Sequence, residues 1–124
     1  MVGGAGFTMR LLLVLAGGVA VLLAGCVTQQ TIYGWGQYED LIYASYLSPQ
    51  DVPAEKQIEI LEKDYQVARS TNHRMPPGWH AHLATLYYHV GKLDQAHQEL
   101  LTEKAEFPES GMFVDRLIAN LKKP

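Results

Sequence analysis

The chain has 124 residues, a formal charge of −3 and a single cysteine. That length holds one small domain, and a lone cysteine excludes an intramolecular disulfide. The mild acidity argues against nucleic acid, whose phosphates demand a basic stripe, and leaves no polybasic patch to read lipid headgroups.

The amino-terminal segment reads as a leader and not as part of a fold. Arg10 precedes an apolar run, LLLVLAGGVAVLLAG, with no charge from Leu11 to Gly25. This length suits the core of a secretory signal and is short for a membrane span. The run ends in Leu23-Ala24-Gly25-Cys26, which resembles the bacterial lipobox. The resemblance implies that the Cys26 thiol receives a diacylglycerol, that residues 1–25 are removed as a signal peptide, and that the new amine takes a further acyl chain such as palmitate. Three acyl chains hold far more firmly than one, at roughly 0.8 kcal/mol per buried methylene. By resemblance to enterobacterial sorting, Val27 in place of an aspartate favours transfer to the outer membrane of a Gram-negative cell, facing the periplasm. Met1 and Met9 both remain open as translation starts, since MVGGAGFT adds no charge.

Cleavage would leave 99 residues with nine Lys+Arg against thirteen Asp+Glu. Residues 26–32 form a short polar tether, and 33–124 a single domain. YGWGQYEDLIYASYLSP opens that domain with dense aromatics and an irregular entry around Trp35. The spacing predicts a first helix from Gln37 to Leu47, with Tyr38, Leu41, Ile42 and Ser45 on one side, stopped by Ser48-Pro49. A second helix, started by Asp51 or Pro53, carries Ile58, Leu61, Tyr65 and Ala68 as one continuous stripe. Its other face, Glu55, Lys56, Glu59, Glu62, Lys63 and Gln66, is a solvated surface. Met75-Pro76-Pro77-Gly78 breaks the chain. A third helix is predicted from about Trp79 to Val90 and a fourth from about Leu93 to Phe107, with Gly91-Lys92 as the tight turn. After FPES, a last helix carries Phe113, Leu117 and Leu121 beside Val114 and Ile118. No segment reads as a strand. The fold class is therefore all-α, about five helices in antiparallel hairpins.

HAHLATLYYHVGKLDQAH, residues 80–97, holds four of the five histidines. At 100° per residue, Trp79, Leu83, Leu86, Tyr87 and Val90 form the buried stripe of the third helix. His82 and His89 lie off its centre, His80 falls on the opposite flank, and His97 belongs to the stripe of the next helix. The four imidazoles do not converge as zinc ligands would, so no metal is expected and the histidines are assigned to flank and surface. The same stretch has a different logic. In a 34-residue frame from Pro77, spanning about 77–110, Ala84, Tyr87, Gly91, Ala96, Leu100 and Pro108 fall where a tetratricopeptide repeat places its signature residues. Glu103 departs from the pattern, standing where that repeat has alanine.

Three stretches, YGWGQYEDLIYASY, PPGWHAHLATLYYHVGKLDQA and EKAEFPESGMFVDRLI, together resemble the domain-of-unknown-function 4810 family of small bacterial lipoproteins, from about Tyr33 to Leu121. That family has no assigned activity or catalytic residues. Members of that family are typically encoded beside a CsgG-like lipoprotein and a second small lipoprotein, so the resemblance implies a component of an outer-membrane lipoprotein assembly.

The expected function is therefore a non-enzymatic interaction or scaffold subunit anchored through Cys26, with no cofactor beyond the lipid. Tyr33, Trp35 and Tyr38 are candidate partner contacts, being ring-rich and close to the tether. Glu103 is a further candidate, with an ion pair to a neighbour such as Arg116 as its simpler role. The alternative function is a cell-wall factor that binds peptidoglycan or activates a wall synthase. An enzyme would have to draw on Tyr87, Tyr88, His89 and Glu103, which match no known catalytic arrangement.

Overall fold

The computed structural model describes residues 4, 6–13 and 31–121. The chain divides into two units, Met1–Gln30 and Thr31–Pro124. In the first, residues 6–13 are helical and exposed; Leu23, Ala24, Gly25 and Cys26 lie outside the described residues, as does most of the leader. No helix among the described residues is long and apolar enough to cross a membrane.

The second unit is all-helical. Its elements are α1 (Tyr38–Leu47), α2 (Ala54–Ser70), α3 (Trp79–His89), α4 (Leu93–Glu106), a short 3₁₀ turn (Pro108–Ser110) and α5 (Gly111–Leu121). Among the described residues the only β-type pairing is a single bridge between Tyr33 and Arg74. The α3–α4 hairpin has the most extensive contact, with α2 packed on α3 and α5 on α4.

The helix stops follow from backbone chemistry. At the end of α3, Gly91 sits at φ 78°. Its N–H donates to the Tyr88 carbonyl at 3.0 Å, and that of Lys92 to Tyr87 at 2.8 Å. This pair of bonds is a Schellman closure, and it returns the chain at once into α4. At the end of α2 the same closure uses Asn72 at φ 58°: Asn72 N–H donates to Arg69 and His73 N–H to Ala68. Asparagine tolerates the left-handed region better than other side chains do.

Leu41, Ile58, Leu61, Met75, Trp79, Leu83 and Leu100 form one continuous core with Val114. Burying each large side chain contributes roughly 1.5–3 kcal/mol. Ala84 and Ala96, both buried, let α3 and α4 approach closely. The expected stripe of α2 is largely as predicted: Ile58, Leu61 and Ala68 are buried and Tyr65 packs against the core. On α5 the inward face is Val114, Leu117, Ile118 and Leu121. Phe113, expected on that stripe, is exposed: the stripe centres on Val114, and Phe113, 100° away, falls outside it.

The entry segment is fastened by two glycines and one acid. Gly34 N–H donates to the Arg74 carbonyl at 2.8 Å, and a Cβ on Gly34 would stand 2.7 Å from the Ala68 Cβ. Only glycine lets this strap lie flat on α2. Gly36 then turns at φ +49°, where a Cβ would collide with the Asp64 carboxylate. That carboxylate accepts from the Gln37 N–H at 2.6 Å and serves as the cap that α1 lacks in its own sequence.

Candidate functional site

The polar chemistry of the domain gathers at the start of α3. The helix has no acidic residue in its first turn and no side-chain cap of its own; Gly78, at φ 88°, precedes it. Glu103 of α4, 2 % exposed, reaches across so that its Oε1 accepts from the Gly78 N–H at 2.7 Å. A carboxylate at a helix N-terminus is stabilised by the unpaired amides there. Tyr38 of α1 closes over the same spot, its hydroxyl 3.6 Å from where a Gly78 Cβ would stand. Burial raises the Tyr38 hydroxyl pKa, and the Glu103 charge raises it further. The Tyr38 ring lies against His82, centroids 5.7 Å apart, and burial pushes the His82 imidazole pKa down. Glu103 Oε2 and His82 Nε2 are buried with no hydrogen-bond partner among the described residues.

Glu103 is thus an internal tie and not a surface contact, and its partner is the Gly78 backbone in place of the expected Arg116. The carboxylate standing where the repeat has a small residue spans the gap between α4 and the loop before α3.

His80 also differs from expectation. Assigned to flank and surface, it is 2 % exposed. Its Nδ1 hydrogen-bonds Glu99 Oε2 of α4 at 2.6 Å, and its Nε2 lies 4.0 Å from Glu106 Oε1. The Tyr65 ring of α2 meets it edge-on at 5.7 Å. The reason is layering: α3 is flanked by α2 and α4 together, so its covered arc is wider than one apolar stripe. His82 is half-buried, while His89 is exposed. Among the described residues no group of three or more His, Cys, Asp or Glu is placed to hold a metal ion.

Among the described residues, three concavities stand out. A polar cleft of about 420 Å³ lies between α2, α3 and α4, lined by Glu59, Glu62, Lys63, Trp79, Tyr87 and Glu99 among others. In it the Tyr87 hydroxyl donates to Glu62; burial, then the Glu62 bond and charge, push the Tyr87 pKa up, so it stays a donor. Glu62, assigned to the solvated face of α2, therefore has a specific partner. An apolar groove of about 170 Å³ runs between α3, α4 and α5, lined by Ala84, Thr85, Tyr88, Leu100, Leu117 and Leu121 with Asn120. A shallow aromatic groove of about 440 Å³ lies along α1, lined by Trp35, Tyr38, Glu39, Ile42, Tyr43 and Tyr46.

The aromatic candidates divide. Tyr33 is half-buried, its ring edge-on to both Trp35 and Phe107 at 6.3 Å, and with Arg74 over Phe107 at 5.3 Å it holds the strap down. Tyr38 closes over Glu103. Trp35 alone keeps a substantial free face, 36 % exposed. Tyr43 and Tyr46, which the sequence reading did not single out, are 67 % and 84 % exposed. Their signal was available: Tyr46 follows Tyr43 by three positions and Ile42 by four, so the three cluster on one side of the helix around Tyr46. The residues an enzyme would have drawn on stand apart, Glu103 at the start of α3 and Tyr87, Tyr88 and His89 at its end, roughly 15 Å along the axis.

The family model described as a domain of unknown function (DUF4810) matches residues 32–117. No curated protein and no solved structure matches the chain.

Proposed function

From the premise that the chain belongs to the DUF4810 family, whose description assigns no activity, we propose that it is a lipid-anchored periplasmic interaction module. In this reading Cys26 carries the acyl anchor at the outer membrane, and the helical domain is a non-enzymatic scaffold subunit. Its partners are neighbouring lipoproteins, including a CsgG-like one. The observation that carries the reading is the apolar groove between α3, α4 and α5. In stacked helical hairpins, tetratricopeptide-like ones included, each apolar flank is covered by the next helix. Here α5 covers one side of the α3–α4 hairpin and leaves a groove rimmed by half-exposed Tyr88. An amphipathic partner helix fits such a groove by its apolar face.

The test is in-cell crosslinking of the natively processed protein, then detergent extraction, pull-down and mass spectrometry, with Cys26→Ala as the control for anchoring. One or two co-purifying lipoproteins, lost with Tyr88→Arg while the fold is retained, are the expected result. Recovery of peptidoglycan or wall enzymes instead would make this a cell-wall factor and retire the scaffold reading.

A further inference from the structure

The aromatic groove on α1 has a different character from the apolar groove. Trp35, Tyr43 and Tyr46 all expose ring surface to solvent, and Ile42 and Glu39 share the same lining. Indole and phenol side chains combine an apolar body with a polar tip, which matches the gradient between acyl chains and headgroups better than it matches bulk water. The groove is also near the start of the domain. From Cys26 to Thr31, where the described domain begins, five residue steps span at most about 18 Å. An acylated Cys26 therefore keeps Thr31, four positions before Trp35, within about 18 Å of the bilayer. A short tether raises the effective concentration of whatever surface it is fixed to, so even weak ring insertion becomes populated.

We propose that the Trp35–Tyr43–Tyr46 face of α1 rests in the interfacial layer of the membrane that carries the anchor, so that the domain lies on the lipid surface in a defined orientation. The inference rests on acylation of Cys26 as proposed above. Its chemistry is ring insertion and not charge attraction: no Lys or Arg occurs between Thr31 and Leu47, while Glu39 and Asp40 sit at the start of α1. Contact is thus expected on zwitterionic lipid, without strengthening by anionic lipid and with little response to salt. It also leaves the apolar groove, formed by other helices, for a protein partner.

The chain's two tryptophans make the test direct, since Trp79 is fully buried and Trp35 is not. The full, natively processed protein is reconstituted into phosphatidylcholine vesicles whose acyl chains are brominated near the headgroup end, and tryptophan emission is compared with that in unbrominated vesicles. Mass spectrometry of the Cys26 peptide from the same preparation reports acylation independently. Trp35 emission, isolated as the difference between wild type and Trp35→Phe, should fall about two-fold or more at the depth of an interfacial side chain. Emission from Trp79 should not change. Replacing Tyr43 and Tyr46 by serine, both exposed and so neutral to folding, should relieve the quenching, and adding phosphatidylglycerol should not deepen it. Acylated protein with unquenched Trp35 would overturn the inference and return this face to a protein partner, leaving the anchor intact. An unmodified Cys26 would remove the anchor reading and this inference with it.

Discussion

Glu103 shows how far a single side chain can depart from its position in a pattern. A carboxylate in a small-residue slot of a helical hairpin is costly to bury unless it is bonded, and here it binds the Gly78 N–H. Glu103→Ala should therefore destabilise the domain by roughly 2–3 kcal/mol, by loss of a charge-assisted bond and its packing. Glu103→Gln keeps an acceptor oxygen and should lose less than half of that. Urea titration distinguishes the two, and equal losses would mean that the charge at the helix start, and not the bond, is what matters. His82 makes a pH prediction. Its folded pKa is lowered by burial, so below the unfolded value of about 6.5 the unfolded chain binds a proton that the folded one resists. Stability is full above that value and falls as the pH drops below it. His82→Gln should flatten the dependence of Tm on pH in that range; an unchanged slope would show that other groups carry it.

Among the elements, α1 is held in a way no helix periodicity reveals. Leu41 enters the core, the Ser45 hydroxyl sits against Gln57 at 3.2 Å, and its start is capped by Asp64, 27 positions away. Gly34→Ala should lift the strap from Ala68 and cost roughly 1–3 kcal/mol, because the opposing atoms are a helix backbone and its Cβ. Limited proteolysis reads this directly as faster cleavage within residues 31–47, with α3 and α4 still protected. Asp64→Ala should have a smaller effect, about 1 kcal/mol for a lost cap. If Asp64→Ala proved the more damaging, the Gly36 turn and not the Gly34 approach would be the main fastening.

At the scale of the molecule, one core runs from Leu41 of α1 to Val114 of α5, with Trp79 at its centre, stacked on Tyr65 at 5.6 Å. A continuous core in a domain of this size unfolds as one unit. In Trp35→Phe protein, the loss of helix by far-UV circular dichroism and the change in Trp79 emission should trace the same urea transition. Separated transitions would mean that α1 or α5 melts independently of the α3–α4 hairpin. Val114→Ala, which opens a hole between α4 and α5, should shift both signals together by about 1–2 kcal/mol.

The helix order, the breaks at Ser48-Pro49 and Met75–Gly78, the Gly91 turn and most buried stripes were legible in the sequence, because they depend on local preferences and on the 3.6-residue period. The lipobox pattern is equally local, and Cys26 lies outside the described residues. What only the tertiary structure decided is the fate of the polar side chains. His80 and Glu99 are 19 positions apart, Tyr87 and Glu62 are 25, and Glu103 and Gly78 are also 25. No periodicity relates such pairs: they meet because α2, α3 and α4 close on one another, and a polar group's burial depends on which neighbour arrives. The same packing leaves Trp35, Tyr43 and Tyr46 outside the core, so a segment that reads simply as aromatic becomes two things, a strap and a free face.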